Sequence, residues 1–218
     1  GLGAGMNPDI GKESAEESRE AITNAIKDSD MLFITAGFGG GTGTGASPVI
    51  ATIAKELGIL TVGIVTKPFN YEGDLRSQQA ETGIRKLEEH VDSLIVIPNE
   101  KLKSLGKTIT VMGGFEAANN VLLNSVQGIV ELITVPGVIN LDFADVKAVM
   151  SDKGRGIMGS ALASGPDRGK KAIDEAVNSP LLEDINLEGA KGILLNVTSG
   201  KDLEISELEE IGAIVKSY

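Results

Sequence analysis

The fold turns on TAGFGGGTGTGASPVI, Thr35–Ile50, in which every position from Gly39 to Gly45 is glycine or threonine. Glycine in regular structure costs about 0.5–1 kcal/mol relative to alanine, because it gives up the most chain entropy on folding. So dense a run implies that something approaches the main chain closely, or that the chain turns where a Cβ would clash. Upstream, MLFIT (Met31–Thr35) is an apolar run of strand length. Downstream, ASPVIATIAKELG sets Val49, Ile50, Ile53, Ala54 and Leu57 at helical spacing, with Pro48 near the first turn and Gly58 at the stop. The order strand, glycine loop, helix aims free backbone N–H groups and the positive end of the helix dipole at whatever the loop holds. The preferred guest is an anion, and phosphate is the first candidate.

Two common phosphate loops fail on detail. A Walker-type loop ends in Gly-Lys-Ser/Thr, and no lysine lies between Ile34 and Ala54. The dinucleotide fingerprint G-x-G-x-x-G can be laid on Gly39 and Gly41, but its third glycine falls on Thr44. The acidic residue expected about 20 positions on meets only Lys55 and Glu56 inside a helical pattern. A nicotinamide-dependent dehydrogenase is therefore disfavoured.

Outward from the loop, strand and helix patterns alternate. A helix is expected over about Ser14–Lys27, then the strand at Met31, the helix at Ser47 and the strand LTVGIVT (Leu60–Thr66). A further helix over about Arg76–Glu89 and the strand SLIVIPN (Ser93–Asn99) follow. The strands are apolar nearly throughout, as in a parallel sheet covered on both faces. One long helix is expected from Gly114 to about Thr134, with Pro136 and Gly137 ending it. Beyond it lie a helix near Asp145–Ser151, a strand in GIMGSALASG, a helix in DRGKKAIDEAVNS, a strand in GILLNVTSG and a last helix with a capping box at Ser206 and Glu209. Two sheets joined by a helical spine are expected.

The 218 residues suffice for one large or two small domains. A formal net charge of −11 argues against a nucleic-acid backbone as partner, which would require clustered Lys and Arg. With so little positive charge near the loop, phosphate would be held by backbone donors and a divalent cation. The absence of cysteine excludes disulfides and thiol chemistry and suits a cytoplasmic protein. No apolar run approaches the ~18 residues of a membrane span. His90 is the only histidine, so no His/Cys metal centre is expected, and it reads as a polar residue at a helix end.

Four motifs together resemble the FtsZ family of tubulin-like bacterial cell-division GTPases: GGGTGTG, GLGAGMNP, KPFNYEG and NLDFADV. The resemblance covers essentially the whole chain. It implies an α/β fold in which a tubulin-like, Rossmann-type parallel-sheet nucleotide domain (1–113) is joined by a long central helix (114–137) to a smaller α/β domain (138–218). It further implies that GTP or GDP is bound, with Mg2+, and that GTP is hydrolysed. Ala4, Gly5, Gly40, Gly41, Thr42, Gly43, Thr44 and Gly45 would hold the phosphates. Glu72 and Arg76 would meet the ribose and phosphate, and Asn99, Phe115 and Asn119 the guanine. Many relatives carry aspartate where this chain has Asn119, and an amide accepts only through its oxygen. Each residue has a plainer reading as well: Phe115 as core, Glu72 and Arg76 as a surface pair.

Asn140, Asp142 and Asp145 fall where the family has its catalytic segment, and carboxylates so spaced suit water positioning and cation binding. Equally, Asp142 can cap the following helix with Asp145 in its first turn. About 20 helical residues, or roughly 30 Å, separate the expected guanine pocket from these acids. They could serve only the nucleotide of another copy stacked head to tail, a heterologous contact that repeats as a filament. The resemblance implies the same: a cytoplasmic polymer at the division site. It also implies chain before Gly1, including a central strand and another glycine loop, and after Tyr218, including two strands and a tail that binds membrane anchors and division partners. On that expectation the chain is short at both ends, and a non-catalytic assembly module is the alternative.

Overall fold

Four strands, β1 (Met31–Gly37), β2 (Leu60–Lys67), β3 (Ser93–Pro98) and β4 (Gly154–Gly156), form one sheet in that order, every neighbouring pair parallel. The computed structural model describes residues 3–105, 110–151, 154–179, 181 and 190–216. Register aligns Ile34, Gly63, Leu94 and Arg155 in a row across the sheet. Parallel neighbours need crossovers, and helices supply them on both faces. α3 (Thr42–Glu56) and α4 (Asp74–Glu88) cover one face, and α5 (Val111–Thr134) and α6 (Phe143–Met150) the other.

The two-residue alternation of a strand divides the core. Leu60, Val62, Ile64, Ile95 and Ile97 pack with Ala118 and Ile129 of α5 and with Val146 and Met150 of α6. Ile34, Val65 and Leu94 pack with Ala51 of α3 and with Ala80, Ile84 and Leu87 of α4. β2, paired on both sides, is buried from Leu60 through Thr66, so the near-continuous apolar pattern has the expected cause. Full burial of a side chain such as Ile64 is worth about 1.5–3 kcal/mol.

The first helical segment begins earlier than its apolar periodicity suggests. Asn7 caps α1 (Pro8–Glu17) by accepting the Asp9 N–H at 3.0 Å, with Pro8 at the first helical position. The chain breaks at Ser18 and continues as α2 (Arg19–Ile26). One helix over Ser14–Lys27 is thus two, and α1 lies on α3 through Ala15, Val49 and Ile53. α3 starts inside the glycine loop at Thr42, which places Pro48 within the helix instead of near its first turn. α5 begins at Val111, where Thr110 accepts the Gly113 N–H at 3.0 Å.

The second half departs further from expectation. GIMGSALASG contributes only Gly156 to a strand, because β4 forms from Gly154–Gly156 at the edge of the first sheet. Arg155 fastens that edge to α4 by two bonds to Glu88, at 3.0 and 3.3 Å. GILLNVTSG belongs to no ladder among the described residues. It lies over α5 and α6: Leu194 packs on the core, and Asn196 Nδ2 donates to the Gly128 carbonyl at 3.4 Å. An alternating apolar segment becomes a strand only if a neighbour completes its hydrogen bonds, and no described segment does so. Among the described residues there is accordingly one sheet, not two.

α7 (Arg168–Val177) and α8 (Ile205–Val215) pack on each other, with Gly169 against Ile211. Arg168 clasps the pair, donating to Glu207 at 2.9 and 3.1 Å, to the Asp202 carboxylate at 2.7 Å and to the Asp202 carbonyl at 2.9 Å. The capping box of α8 is Glu204 with Glu207, not Ser206 with Glu209. The helix starts at Ile205, so the cap falls two residues earlier, and Ser206 donates to Glu204 at 3.2 Å. Among the described residues no helix is long and apolar enough to cross a membrane.

Candidate functional site

The glycines of the loop divide by what a Cβ would meet. At Gly41 it would stand 2.7–2.8 Å from Asn7 O, Ala4 Cβ and Ala4 O, and at Gly43 it would stand 2.7 Å from Gly37 O. At Gly45 it would strike the Pro8 carbonyl, and at Gly11 the Gly41 carbonyl. Gly41, Gly45 and Gly11 let the segment Gly3–Asn7 and α1 rest directly on the start of α3, and Gly43 lets α3 rest on the end of β1. Gly39 is glycine for its backbone, at φ +105°. Gly40 differs: the nearest atom to its Cβ position is Gly5 O at 3.9 Å, ordinary contact distance. The protein itself makes no demand for glycine at position 40, and open space also surrounds the Cβ position of Gly5. Together they mark the accessible side of the cradle.

Hydrogen bonds hold this cradle shut on itself. Gly41 N–H donates to Gly5 O at 2.8 Å, and Ala4 N–H to Thr42 Oγ1 at 3.3 Å. Thr42 is exposed, and its hydroxyl proton is still available to an anion. Thr44 is 3% exposed and accepts the Gly39 N–H at 2.9 Å, so it shapes the loop from beneath. Gly45 is likewise buried, under α1. No side chain caps α3, whose first-turn N–H groups remain open to an anion.

The remaining expected nucleotide contacts gather at the same carboxyl edge of the sheet, where open α/β sheets take their ligands. The Cβ position of Gly39 is 2.9 Å from Arg76 O and 3.3 Å from Pro68 Cγ, so the glycine loop abuts the segment following β2. Glu72 accepts the Phe69 N–H at 2.9 Å and Arg76 Nη1 at 2.8 Å. The surface-pair reading of these two holds as geometry, but Glu72 also fixes its own loop. Asn99, directly after β3, is 4% exposed, and its Oδ1 has no hydrogen-bond partner. A buried acceptor left unmade costs about 1–3 kcal/mol, so this one fits a ligand N–H. Phe115, one turn into α5, is 40% exposed rather than core, and Asn119 is exposed one turn on.

Sequence reasoning missed Phe69. Its ring is 1% exposed, meets Phe115 edge-on at 5.6 Å and stacks on Tyr71 at 5.1 Å. The available signal was scarcity: the chain has five Phe, two Tyr and no Trp, and three of these seven meet here.

Asn140, Asp142 and Asp145 lie past the far end of α5. Asp142 accepts the Asp145 N–H at 2.9 Å and Asp145 accepts the Asp142 N–H at 3.1 Å, a reciprocal cap on α6. Asn140 Oδ1 accepts the Gly137 N–H at 2.6 Å. The capping reading of the acids is therefore realised, and the cap uses one oxygen of each carboxylate, with no further hydrogen bond to either acid side chain among the described residues. Among the described residues no group of three His, Cys, Asp or Glu could hold a metal ion.

A parallel sheet with a glycine cradle and a buried, unpartnered side-chain acceptor at its carboxyl edge defines an open α/β fold of the class that takes its ligands at that edge. Residues 1–107 match the Tubulin/FtsZ family, GTPase domain, and residues 154–218 match the FtsZ family, C-terminal domain. The chain belongs to the tubulin/FtsZ family. It is 58% identical to the cell division protein FtsZ of Wigglesworthia glossinidia brevipalpis and 55% identical to that of Coxiella burnetii, in both cases over 100% of this chain and 57% of the relative. The FtsZ dimer of M. jannaschii superposes with a TM-score of 0.95 at 50% identity, covering 100% of this chain and 63% of that one. CetZ1 from Haloferax volcanii, at 23% identity and TM-score 0.67 over 82% of this chain and 54% of that one, shares the fold. The chain thus spans a little over half the length of the curated relatives it matches.

Proposed function

We propose that this chain binds GTP or GDP at the carboxyl edge of the sheet and hydrolyses GTP only between copies stacked head to tail, in a cytoplasmic polymer serving bacterial division. Family membership and relatives named cell division protein support the class of activity. The observation that carries the mechanism is the placement of two half-sites at opposite ends of α5. Phe115 lies one turn from its start and Asp142 lies beyond its last residue, Thr134. The helical residues between span roughly 30 Å at 1.5 Å per residue.

In this reading the glycine cradle and the first-turn N–H groups of α3 bind phosphate, Thr42 adds a hydroxyl, and Glu72 with Arg76 orients the ribose. Phe115 stacks on guanine, while Asn99 Oδ1 accepts a base N–H. Asp142 and Asp145 of the adjoining copy orient the attacking water, their mutual cap fixing both carboxylates in advance. Mg2+ bound with the nucleotide would neutralise phosphate charge, and among the described residues no group of three His, Cys, Asp or Glu would hold it without the nucleotide. The division into a nucleotide unit (1–113), a connecting helix (114–137) and a C-terminal unit (138–218) belongs to the same reading. The sheet edge and the acids are its two functional ends.

Turnover per molecule is expected to rise with protein concentration. A specific rate unchanged by dilution below any assembly threshold would exclude the shared site. A second reading, assembly without hydrolysis, is favoured by the use of one oxygen of each acid in the reciprocal cap of α6. GTP binding with no turnover at any concentration would select it.

A further inference from the structure

We propose that Glu100 and Lys103 are positioning residues for the nucleotide, bracing the loop Phe69–Gly73 so that Glu72 and the aromatic platform stand in place before binding. This rests on the nucleotide reading above, and neither residue is among the contacts assigned there. Two consecutive backbone N–H groups of the loop each meet a carboxylate. That of Phe69 donates to Glu72 at 2.9 Å, and that of Asn70 donates to Glu100 at 3.1 Å. Glu100 sits on the 3-10 turn Asn99–Leu105, which follows β3 directly.

Lys103, on the same turn, donates to Glu100 Oε1 at 2.5 Å. Its ammonium lies 5.9 Å from the ring centroid of Phe69 and 5.7 Å from that of Tyr71, within cation–π range of both. One carboxylate and one ammonium therefore grip both the backbone and the rings of the loop. The bond from Lys103, with the Asn70 N–H adding to it, holds the Glu100 carboxyl below its ordinary range.

Phe69 transmits the brace to α5. Its ring meets Phe115 edge-on, and its Cζ is 3.0 Å from where a Cβ on Gly114 would stand. A loop that drifts must displace Phe115 or lose that contact. Asn99, with its unpaired buried acceptor, is the first residue of the turn that carries the brace. Base acceptor, stacking platform and ribose carboxylate thus share a single support, while the glycines of the cradle rest mainly on Gly3–Asn7 and α1 and meet the segment after β2 at Gly39.

That separation makes the proposal testable. The chain has two tyrosines and no tryptophan, so in a Tyr218→Phe background Tyr71 is the only strong ultraviolet emitter. Glu100→Ala is expected to increase acrylamide quenching of Tyr71. It should also weaken GDP binding about tenfold, roughly the loss of one charge-assisted hydrogen bond, and leave the affinity for inorganic triphosphate unchanged. Glu100→Gln keeps an acceptor for Asn70 and should recover part of both effects, and Lys103→Arg should retain nearly all GDP affinity. Unchanged GDP affinity in Glu100→Ala, or equal losses for GDP and triphosphate, would overturn the brace alone. An unsubstituted chain that binds neither probe would overturn the nucleotide reading and the brace with it.

Discussion

Gly40 and Gly41 are neighbours with opposite reasons for being glycine. A methyl at Gly41 would meet three atoms at 2.7–2.8 Å, so Gly41→Ala should cost about 1–3 kcal/mol through overpacking, read as a lowered unfolding midpoint in urea. Gly40→Ala should leave that midpoint unchanged and still weaken nucleotide binding, because its methyl would fill only the open side of the cradle. Equal destabilisation by both substitutions would refute the assignment. Asn99 makes a second case at this scale. Its Oδ1 supports no bond in the folded chain, so Asn99→Ala should erase preference for GTP over ATP in competition binding with little change in stability.

The same logic applied to helix ends separates capping from chemistry at the acids. Asp142→Ala removes the cap of α6 and should cost about 1 kcal/mol. Asparagine caps as well as aspartate, so Asp142→Asn should keep the stability while losing the carboxylate. Hydrolysis abolished in a variant of unchanged melting temperature would assign Asp142 to the reaction; full turnover would leave it a cap. The clasp between α7 and α8 answers to pH instead. Arg168 holds Glu207 and Asp202 below their ordinary range, chiefly through the hydrogen bonds it donates to them. Carboxylates depressed in the folded state contribute stability above their unfolded pKa of about 4 and lose it as pH falls through the folded values. Acid should therefore loosen α7 from α8, seen as faster amide exchange in Arg168–Val177. Arg168→Ala should remove that acid-dependent limb.

Across the molecule, the two half-sites proposed at opposite ends of α5 make a prediction that no single substitution can. Asp142→Asn retains the nucleotide edge, and Asn99→Ala retains the acids. Each alone is expected to turn over GTP poorly. Mixed in equal amounts, they should form junctions that pair an intact pocket with an intact acid set, so that activity exceeds the sum of the two. A strictly additive mixture would place the whole reaction within one chain.

Much of the fold was legible because it depends on local pattern. The apolar runs at Met31, Leu60 and Ser93 and the glycine loop between strand and helix are visible in the order of residues, and hydrophobic burial needs only that order to choose sheet and helix. The candidate site could be named from the sequence where it would be built of main chain and sequential motif, at Gly40–Gly45, Glu72 and Asn99, and its role is the one proposed above. It was illegible where partners come from distant turns: Phe69 under Phe115, Glu100 on the Asn70 N–H, and Gly41 against Ala4. Alternation in GILLNVTSG and GIMGSALASG states a willingness to pair, but a ladder exists only when another strand is brought alongside. Local order set which segments bury their side chains; contact between distant segments settled which backbone groups, rings and charges meet, because hydrogen bonds and packing act over a few ångströms of space, whatever the separation along the chain.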